Sequence, residues 1–282
     1  MQPMTDRQAY ELYLRCFPDY PTGLDCFRSV MRPDIAARFC AEENDVLAGC
    51  ALVQENAVAM LCVLPEYRRC GHGSALLRRA EEHIEAGGHR LAVLGFGPHY
   101  LLQGVPDTDG NAVQFFQRRG YSADWTSVNM ALPLEGFDPQ GLRIPAAPAG
   151  LSFRLARADD RPALLRAVEA ANSGWLGIFQ RLPGDAPVLL AEENGEILGF
   201  EILGRDGFFA TAGARAGSIG CVGVIPTARK RGVGRSMVVY GAAWLREQGR
   251  ESVELRFVEL VDWYRAIGFE VTGRQWMGNK RL

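Results

Sequence analysis

Two short stretches of this chain carry residue types at a spacing that could hold a phosphate. They are Arg68-Arg69-Cys70-Gly71-His72-Gly73 and Arg229-Lys230-Arg231-Gly232-Val233-Gly234. Each follows an apolar strand-like run and a proline, Val63-Leu64-Pro65 in one case and Val224-Ile225-Pro226 in the other. Each leads into residues at helical spacing, Ala75, Leu76 and Leu77 with Ala80, His83 and Ile84, or Met237, Val238 and Val239 with Ala242, Ala243 and Leu245. A helix that starts from a glycine loop, here at about Ser74 and Arg235, presents backbone N–H groups with no intrahelical acceptor, and its dipole adds to their pull on an anion. The flanking Arg68, Arg69, Arg229, Lys230, Arg231 and Arg235 supply charge suited to phosphate oxygens. Neither loop is a Walker loop, because no lysine follows Gly73 or Gly234. Neither is a dinucleotide fingerprint, which would need a third glycine where Leu76 and Met237 stand.

The elements that must position these loops recur as well. Ala41-Glu42-Glu43-Asn44-Asp45-Val46-Leu47-Ala48-Gly49 returns as Ala191-Glu192-Glu193-Asn194-Gly195-Glu196-Ile197-Leu198-Gly199, at an offset of 150 residues. Each reads as strand, tight turn, strand. The glycine loops are 161 residues apart, and Phe115-Phe116-Gln117-Arg118-Arg119-Gly120-Tyr121 returns 148 residues later as Trp263-Tyr264-Arg265-Ala266-Ile267-Gly268-Phe269. Three blocks in one order with slowly changing offsets mark a duplicated domain. The falling offset leaves 13 extra residues in the first copy, which we place around Pro98–Gly110. The proline- and glycine-bearing stretch 138–150 cannot continue a helix or a central strand, so the expected organisation is 1–137, a linker at 138–150, and 151–282.

A strand, a proline and then [RQ]-x-x-G-x-[GA], found twice in register and each time followed by an aromatic pair and a Gly-aromatic pair, resembles the acyl-CoA N-acyltransferases of the GNAT superfamily. The resemblance covers nearly the whole chain as two tandem domains. It implies an α/β fold in which each domain has a mixed, largely antiparallel sheet splayed where CoA enters. It also implies acetyl-CoA as acyl donor, with the pyrophosphate over the loop and the pantetheine beside the preceding strand. The loop residues Arg68, Arg69, Cys70, Gly71, His72, Gly73 and Ser74, and Arg229, Lys230, Arg231, Gly232, Val233, Gly234 and Arg235, are then the expected cofactor contacts. The strand amides of Leu61, Cys62 and Val63, and of Val222, Gly223 and Val224, join them, with Asn111 at a position the family uses near the cofactor.

Acetylating an amine requires a neutral amine, a thioester held beside it, and an acid for the departing thiolate. In the family that acid is often a tyrosine on the helix before the Gly-aromatic pair. Tyr264 stands there in the second copy and Phe116, which has no proton to give, in the first. The second copy is therefore the expected catalytic half, with Tyr264 as its acid. All four histidines (His72, His83, His89, His99) lie in the first copy, so a base in the second has to be a carboxylate or a water chain. Glu259, which occupies the position of Asn111, is placed ahead of Glu254 and Glu201. Glu201 sits on the strand after the hairpin, and alternation points it opposite to Phe200 and Ile202, with the cleft as the expected destination. Trp175, Phe179, Phe208 and Phe209 are candidates for an apolar acceptor mouth. The rival function is a non-catalytic acyl-CoA-binding or sensing protein, which would keep both loops and have no need of Tyr264.

Composition narrows the partners. With 282 residues, 48% hydrophobic and 23% charged, the chain has the balance of a two-domain globular protein. A net charge of −2 gives no basic field for nucleic acid or an anionic membrane. No apolar run of 18 residues exists and the first residues carry no apolar signal segment, so a cytoplasmic location is expected. The seven cysteines include no C-x-x-C pair, and the histidines have no metal-ligand spacing; reduced, buried thiols and no metal are expected. The partner expected is a small-molecule or peptide amine, and the two copies would form a pseudo-dimer within a monomer, or the chain a homodimer.

Overall fold

The computed structural model describes residues 4–31, 36–96, 100–108, 110–138, 150–207 and 215–282. Most of the expected linker, Pro98, His99 and Asp109 of the expected insertion, and the aromatics Phe208 and Phe209 lie outside them. Among the described residues no helix is long and apolar enough to cross a membrane.

The chain forms two compact units, each a sheet with helices. The first contains α1 (Asp6–Cys16), α2 (Leu24–Val30), β1 (Ala37–Glu43), β2 (Val46–Gln54), β3 (Ala57–Val63), α3 (His72–Ala86), β4 (Leu91–Leu94), β5 (Val105–Pro106) and α4 (Gly110–Gln117). Next in the chain come β6 (Thr126–Pro133), β7 (Ser152–Leu155), α5 (Arg161–Asn172), α6 (Leu176–Arg181), β8 (Val188–Glu193), β9 (Glu196–Gly204), β10 (Ala216–Val224), α7 (Val233–Glu247), β11 (Ser252–Val258), α8 (Val261–Arg265), β12 (Glu270–Trp276) and β13 (Asn279–Arg281). The duplication read in the sequence reaches fine backbone detail. Asn44 and Asp45 have φ of 50° and 61°, and Asn194 and Gly195 have φ of 53° and 80°, so both β1–β2 and β8–β9 close through a two-residue turn with positive φ throughout. A bulge follows at the same place in each hairpin, between Ala41 and Glu42 and between Ala191 and Glu192.

The first unit's sheet has the order β1-β2-β3-β4-β13. On one face Leu12, Tyr13, Phe27 and Met31 pack on Cys50, Leu52 and Met60. On the other, Leu77, Ala80 and Ile84 of α3 and Phe116 of α4 pack on Val53, Val58 and Leu94. In the second unit the strands run β12-β6-β11-β10-β9-β8-β7. The fully buried Phe200 of β9 meets Phe179 of α6 edge to face with ring centroids 5.1 Å apart, and Met237, Val238, Ala242 and Leu245 of α7 are buried.

The units do not divide at 138–150. Gly273–Leu282 belongs with the chain up to Val128, and the described residues from Asn129 to Thr272 make the second unit. The physical cause is strand pairing. β4 would otherwise present an open edge, and Asn279–Arg281 pairs with it antiparallel, register Asn279↔Val93 to Arg281↔Leu91. Lys280 Nζ secures this strand with two 2.9 Å bonds to the Glu81 carboxylate of α3. The end of the first copy is drawn into the second unit in the same manner, where Leu134 N–H donates to the Glu251 carbonyl at 2.8 Å and Arg246 to the Phe137 carbonyl at 2.6 Å. The cysteines are all unpaired, but only Cys50 and Cys62 are fully buried and Cys70 is exposed.

Candidate functional site

In the second unit β10 and β11 pair in parallel only over Ala216–Ser218 and Ser252–Glu254. Beyond that point they part and leave one edge of β10 open. Ile225 N–H, just past the strand, donates to the Leu198 carbonyl at 3.0 Å. Because backbone groups alternate sides along a strand, Gly223 is turned toward β9, and Val222 and Val224 are turned to the open edge. The resemblance implied all three amides; alternation allows two. Gly223 has a different use, since a Cβ there would lie 2.2 Å from Cζ of Phe200. The first unit repeats the pattern. β3 pairs with β4 only at Ala57 and Val58, and Leu64 N–H reaches the Ala48 carbonyl at 2.9 Å. Cys62 therefore faces β2, while Leu61 and Val63 face outward.

The glycine loop lies where the open strand ends. Lys230 (φ 62°) and Gly232 (φ 84°) are both left-handed, as are Arg69 (φ 67°) and Gly71 (φ 91°) in the first unit. A left-handed lysine or arginine is strained by about 1–2 kcal/mol, and such residues cluster at ligand clamps. The twist curls successive N–H groups toward one concavity, an anion nest. α7 and α3 each start two residues earlier than expected, at Val233 and His72, from glycine N-caps that make no side-chain cap. Ser236 N–H is the first to bond within α7, to the Gly232 carbonyl at 3.1 Å, leaving the Val233, Gly234 and Arg235 amides for a ligand.

The basic residues divide into braces and cavity walls. Arg229 Nε donates to the Val224 carbonyl at 3.1 Å and its Nη2 to the Ala171 carbonyl at 3.0 Å; Arg68 Nε does the same to Val63 at 3.0 Å. These two arginines lock loop to strand. Arg231 is held to Glu193 of the hairpin at 2.7 and 2.9 Å, and His72 to the equivalent Glu43 at 2.6 Å. Arg235 lies over the Trp263 ring at 5.8 Å. In the first unit Arg119 stacks on Phe115 at 3.7 Å and donates to Ser74 Oγ at 2.6 Å.

These parts converge on one cavity of about 480 Å³ in the second unit. Val222, Gly223 and Val224 form one wall, and Arg229, Lys230, Gly232, Val233, Gly234 and Arg235 form the floor. Asn172 and Trp175 border it, and Leu260, Trp263 and Tyr264 close it. Trp175 thus reaches the cavity as expected, whereas Phe179 is core. Burial pushes the Tyr264 hydroxyl well above the ordinary tyrosine range, and negative charge on Glu201 or Cys221 adds to the push. Tyr264 is therefore fully protonated at neutral pH, the state an acid must start from.

Glu259 does not join this arrangement. It is exposed, immediately after β11, and the cavity lining begins at Leu260. Asn111 is likewise exposed on α4. Phe116, the counterpart of Tyr264, is buried against Phe115 and Tyr121, with centroids 5.1 and 5.5 Å away. The first unit does hold a cavity of about 130 Å³ where β3 and β4 part, walled by Tyr13, Phe17, Met60, Leu61 and Phe116 and by Leu101–Pro106 of the inserted segment.

The carboxylate the structure singles out is Glu201, which lies against Gly241 of α7 in the core and not in the cleft expected for it. It is fully buried, neither oxygen has a hydrogen-bond partner among the described residues, and burial raises it to about 8. The consequence for stability has a definite sign. Between about 4.5, the ordinary value, and about 8 the folded chain keeps a proton that the unfolded chain releases, so stability falls as pH rises through this window. Glu201→Gln should flatten that fall and be the more stable protein at pH 8.5, by about 3–5 kcal/mol at most, and about equal to the wild type near pH 4.5. Urea unfolding of both proteins at the two pH values checks this.

Residues 36–123 and 184–271 each match the Acetyltransferase (GNAT) domain family. A mycothiol acetyltransferase of Sanguibacter keddieii is 32% identical over 230 residues, 75% of this chain and 70% of that protein. One of Thermobifida fusca is 29% identical over 273 residues, 82% of this chain and 78% of that protein. Among solved structures, a GCN5-related N-acetyltransferase from Sphaerobacter thermophilus superposes with a TM-score of 0.72 at 22% identity, covering 99% of this chain and 94% of that one. A tandem GNAT protein from the clavulanic acid biosynthesis pathway gives 0.72 at 18% identity, covering 98% and 96%. A glucosamine N-acetyltransferase region of a fungal multi-domain protein gives 0.82 at 22% identity, covering 97% of this chain and only 36% of that longer one. The chain belongs to the GNAT acetyltransferases. It is a tandem-domain N-acetyltransferase, with two copies of the domain in one polypeptide.

Proposed function

We propose that the second unit binds acetyl-CoA and transfers its acetyl group directly to a primary amine, with Tyr264 as the proton donor. The observation that carries this reading is the single cavity shared by the open edge of β10, the nest of N–H groups at the start of α7, and Tyr264. The residues fit the donor. Lys230, Arg229 and Arg235 offset phosphate charge, and the Val233, Gly234 and Arg235 amides point at it. A Cβ on Gly234 would touch Val224 Cγ2 at 3.4 Å and Trp263 at 3.5 Å, so a side chain larger than a methyl would crowd this floor. Val222 and Val224 offer the strand edge that an amide-bearing arm can extend.

Acetyl-CoA supplies the acetyl group and a thiolate leaving group. Tyr264 supplies the proton that the thiolate needs, and Trp175 with the other apolar walls keeps water from the site. The first unit keeps the loop geometry but has Phe116 in place of the acid, and the inserted Leu101–Pro106 narrows its crevice; we assign it no chemistry. A non-catalytic acyl-CoA sensor would not require a protonated tyrosine on the cavity wall.

Calorimetric titration of the full chain with acetyl-CoA, followed by acetyl transfer to a panel of primary amines (glucosamine, a polyamine, an amino-terminal peptide), tests the reading. One site per chain with turnover of at least one amine supports it. Two sites would make the first unit a second acyl-CoA site, and no binding by the folded protein overturns the reading.

A further inference from the structure

We propose that Glu201 is a positioning residue that acts through Tyr264, and that its carboxyl must be neutral for Tyr264 to release a proton. This deepens the function proposed above and rests on Tyr264 being the proton donor.

The geometry is specific. In the β9–β10 ladder Ile202 pairs with Gly220 and Phe200 with Gly223, so Cys221 and Val222 together stand opposite Glu201. This bulge, where Cys221 takes φ of 50°, is where β10 turns its edge into the cavity. The Glu201 side chain lies on the α7 face of the sheet, and α7 makes room for it: a Cβ on Gly241 would sit 2.1 Å from Oε1. Across the sheet on β8 stands Leu189, and Leu203 of β9 completes the apolar surround. Of the two β10 residues opposite Glu201, Cys221 is the titratable one and Val222 lines the cavity that Tyr264 of α8 closes; negative charge on Glu201 opposes negative charge on Tyr264. Gly241 of α7 and Leu189 of β8 do not titrate, and among the described residues neither carboxyl oxygen has a hydrogen-bond partner.

An ionised carboxyl in this surround has nothing to offset its charge, so it is held in the acid form. Filling the space alone would be done at lower cost by an apolar side chain. In the acid form Glu201 leaves Tyr264 free to acquire negative charge. Once ionised it opposes that charge, and Tyr264 becomes a poorer acid. The step itself is balanced without Glu201 changing. The Tyr264 O–H bond breaks, its electron pair stays on the phenolate oxygen, and the proton forms the S–H bond of CoA. The phenolate then recovers a proton from solvent, and Glu201 keeps its own throughout.

CoA alone is the probe. The thiol of CoA bound to the full chain is titrated by thiolate absorbance from pH 6 to 10 in wild type, Glu201→Gln and Glu201→Met. The wild-type thiol should titrate about one pH unit higher than in either variant, because an ionised Glu201 opposes the thiolate through Tyr264. With an amine from the panel, wild-type kcat should decline above about pH 8, and the decline should vanish in Glu201→Gln. Identical thiol titrations and identical pH profiles in wild type and variants overturn the proposal, even if the variants differ in stability. Should Tyr264→Phe leave both readouts unchanged, the proton-donor reading itself fails. A variant that does not fold is replaced by the infrared band of the protonated carboxyl in wild type: its loss near pH 8 supports the proposal, and its loss near pH 4.5 overturns it.

Discussion

Replacing Tyr264 by phenylalanine should lower kcat by about ten- to a thousand-fold while leaving the dissociation constant of acetyl-CoA within about twofold. The substitution removes one oxygen and no packing surface. The ring keeps its edge-to-face contacts with Trp263 at 4.7 Å and Phe269 at 5.6 Å, so the wall of the cavity stays in place. What is lost is the proton for the thiolate, an interaction made only as the bond to sulfur breaks. Binding of the donor, carried by the loop and the edge of β10, precedes that event and should not respond. The pair of measurements is turnover with the best amine of the panel and calorimetric binding of acetyl-CoA. A tenfold loss confined to kcat supports the assignment. Unchanged turnover would leave the second unit binding its donor without using Tyr264, and the acid would have to be sought elsewhere. The equivalent experiment in the first unit has been carried out by the sequence itself, which has Phe116 there.

Gly234→Asp should weaken CoA binding by about a hundredfold or more without destabilising the fold. The two effects separate because of where the residue sits. At the second position of α7 an aspartate is favourable for the helix, since its negative charge lies at the positive end of the helix dipole. For an incoming phosphate the same charge is repulsive, and the new side chain projects into the floor between Val224 and Trp263. Each charged hydrogen bond lost from the N–H nest is worth about 1.5–3 kcal/mol, so losing two accounts for the expected factor. A Tm equal to or above wild type, together with lost calorimetric heat, is the expected pair of results. Gly73→Asp supplies the internal control: if the first unit binds no CoA, it changes neither. Full retention of binding in Gly234→Asp would place the phosphate elsewhere.

What the order of residues settles by itself is local. The Asn44-Asp45 and Asn194-Gly195 turns and the left-handed glycines at 71 and 232 are settled by residues within a few positions of each other, so their signatures survive in a bare string of letters. The duplication and the GNAT domains followed from those signatures, and residues 36–123 and 184–271 carry them. Tyr264 could be placed by the same local logic, because its helix and the Gly-aromatic pair after it form one block. Glu259 shows where that logic stops. Its position in the block matched Asn111, but it lies exposed just after β11, and the number of residues between a strand and a helix does not say which way a carboxylate points.

Tertiary structure decided the rest. An alternating strand pattern shows which face is buried and is silent on which neighbour the strand pairs with, so Asn279–Arg281 could complete the sheet of the first unit with no warning from composition. Alternation of backbone groups likewise needs a known partner strand before it can say that Val222 and Val224, and not Gly223, face the cavity. Glu201 is the strongest case. A glutamate in a strand reads as a solvated residue, because burying a carboxyl without a partner is costly. Only the packing of α7, with a glycine at 241, reveals that this one lies in the core. The sequence determined the parts that depend on near neighbours, and the fold determined whatever depends on which distant elements meet, since burial, partnership and proton affinity are properties of the assembled surroundings and not of any residue alone.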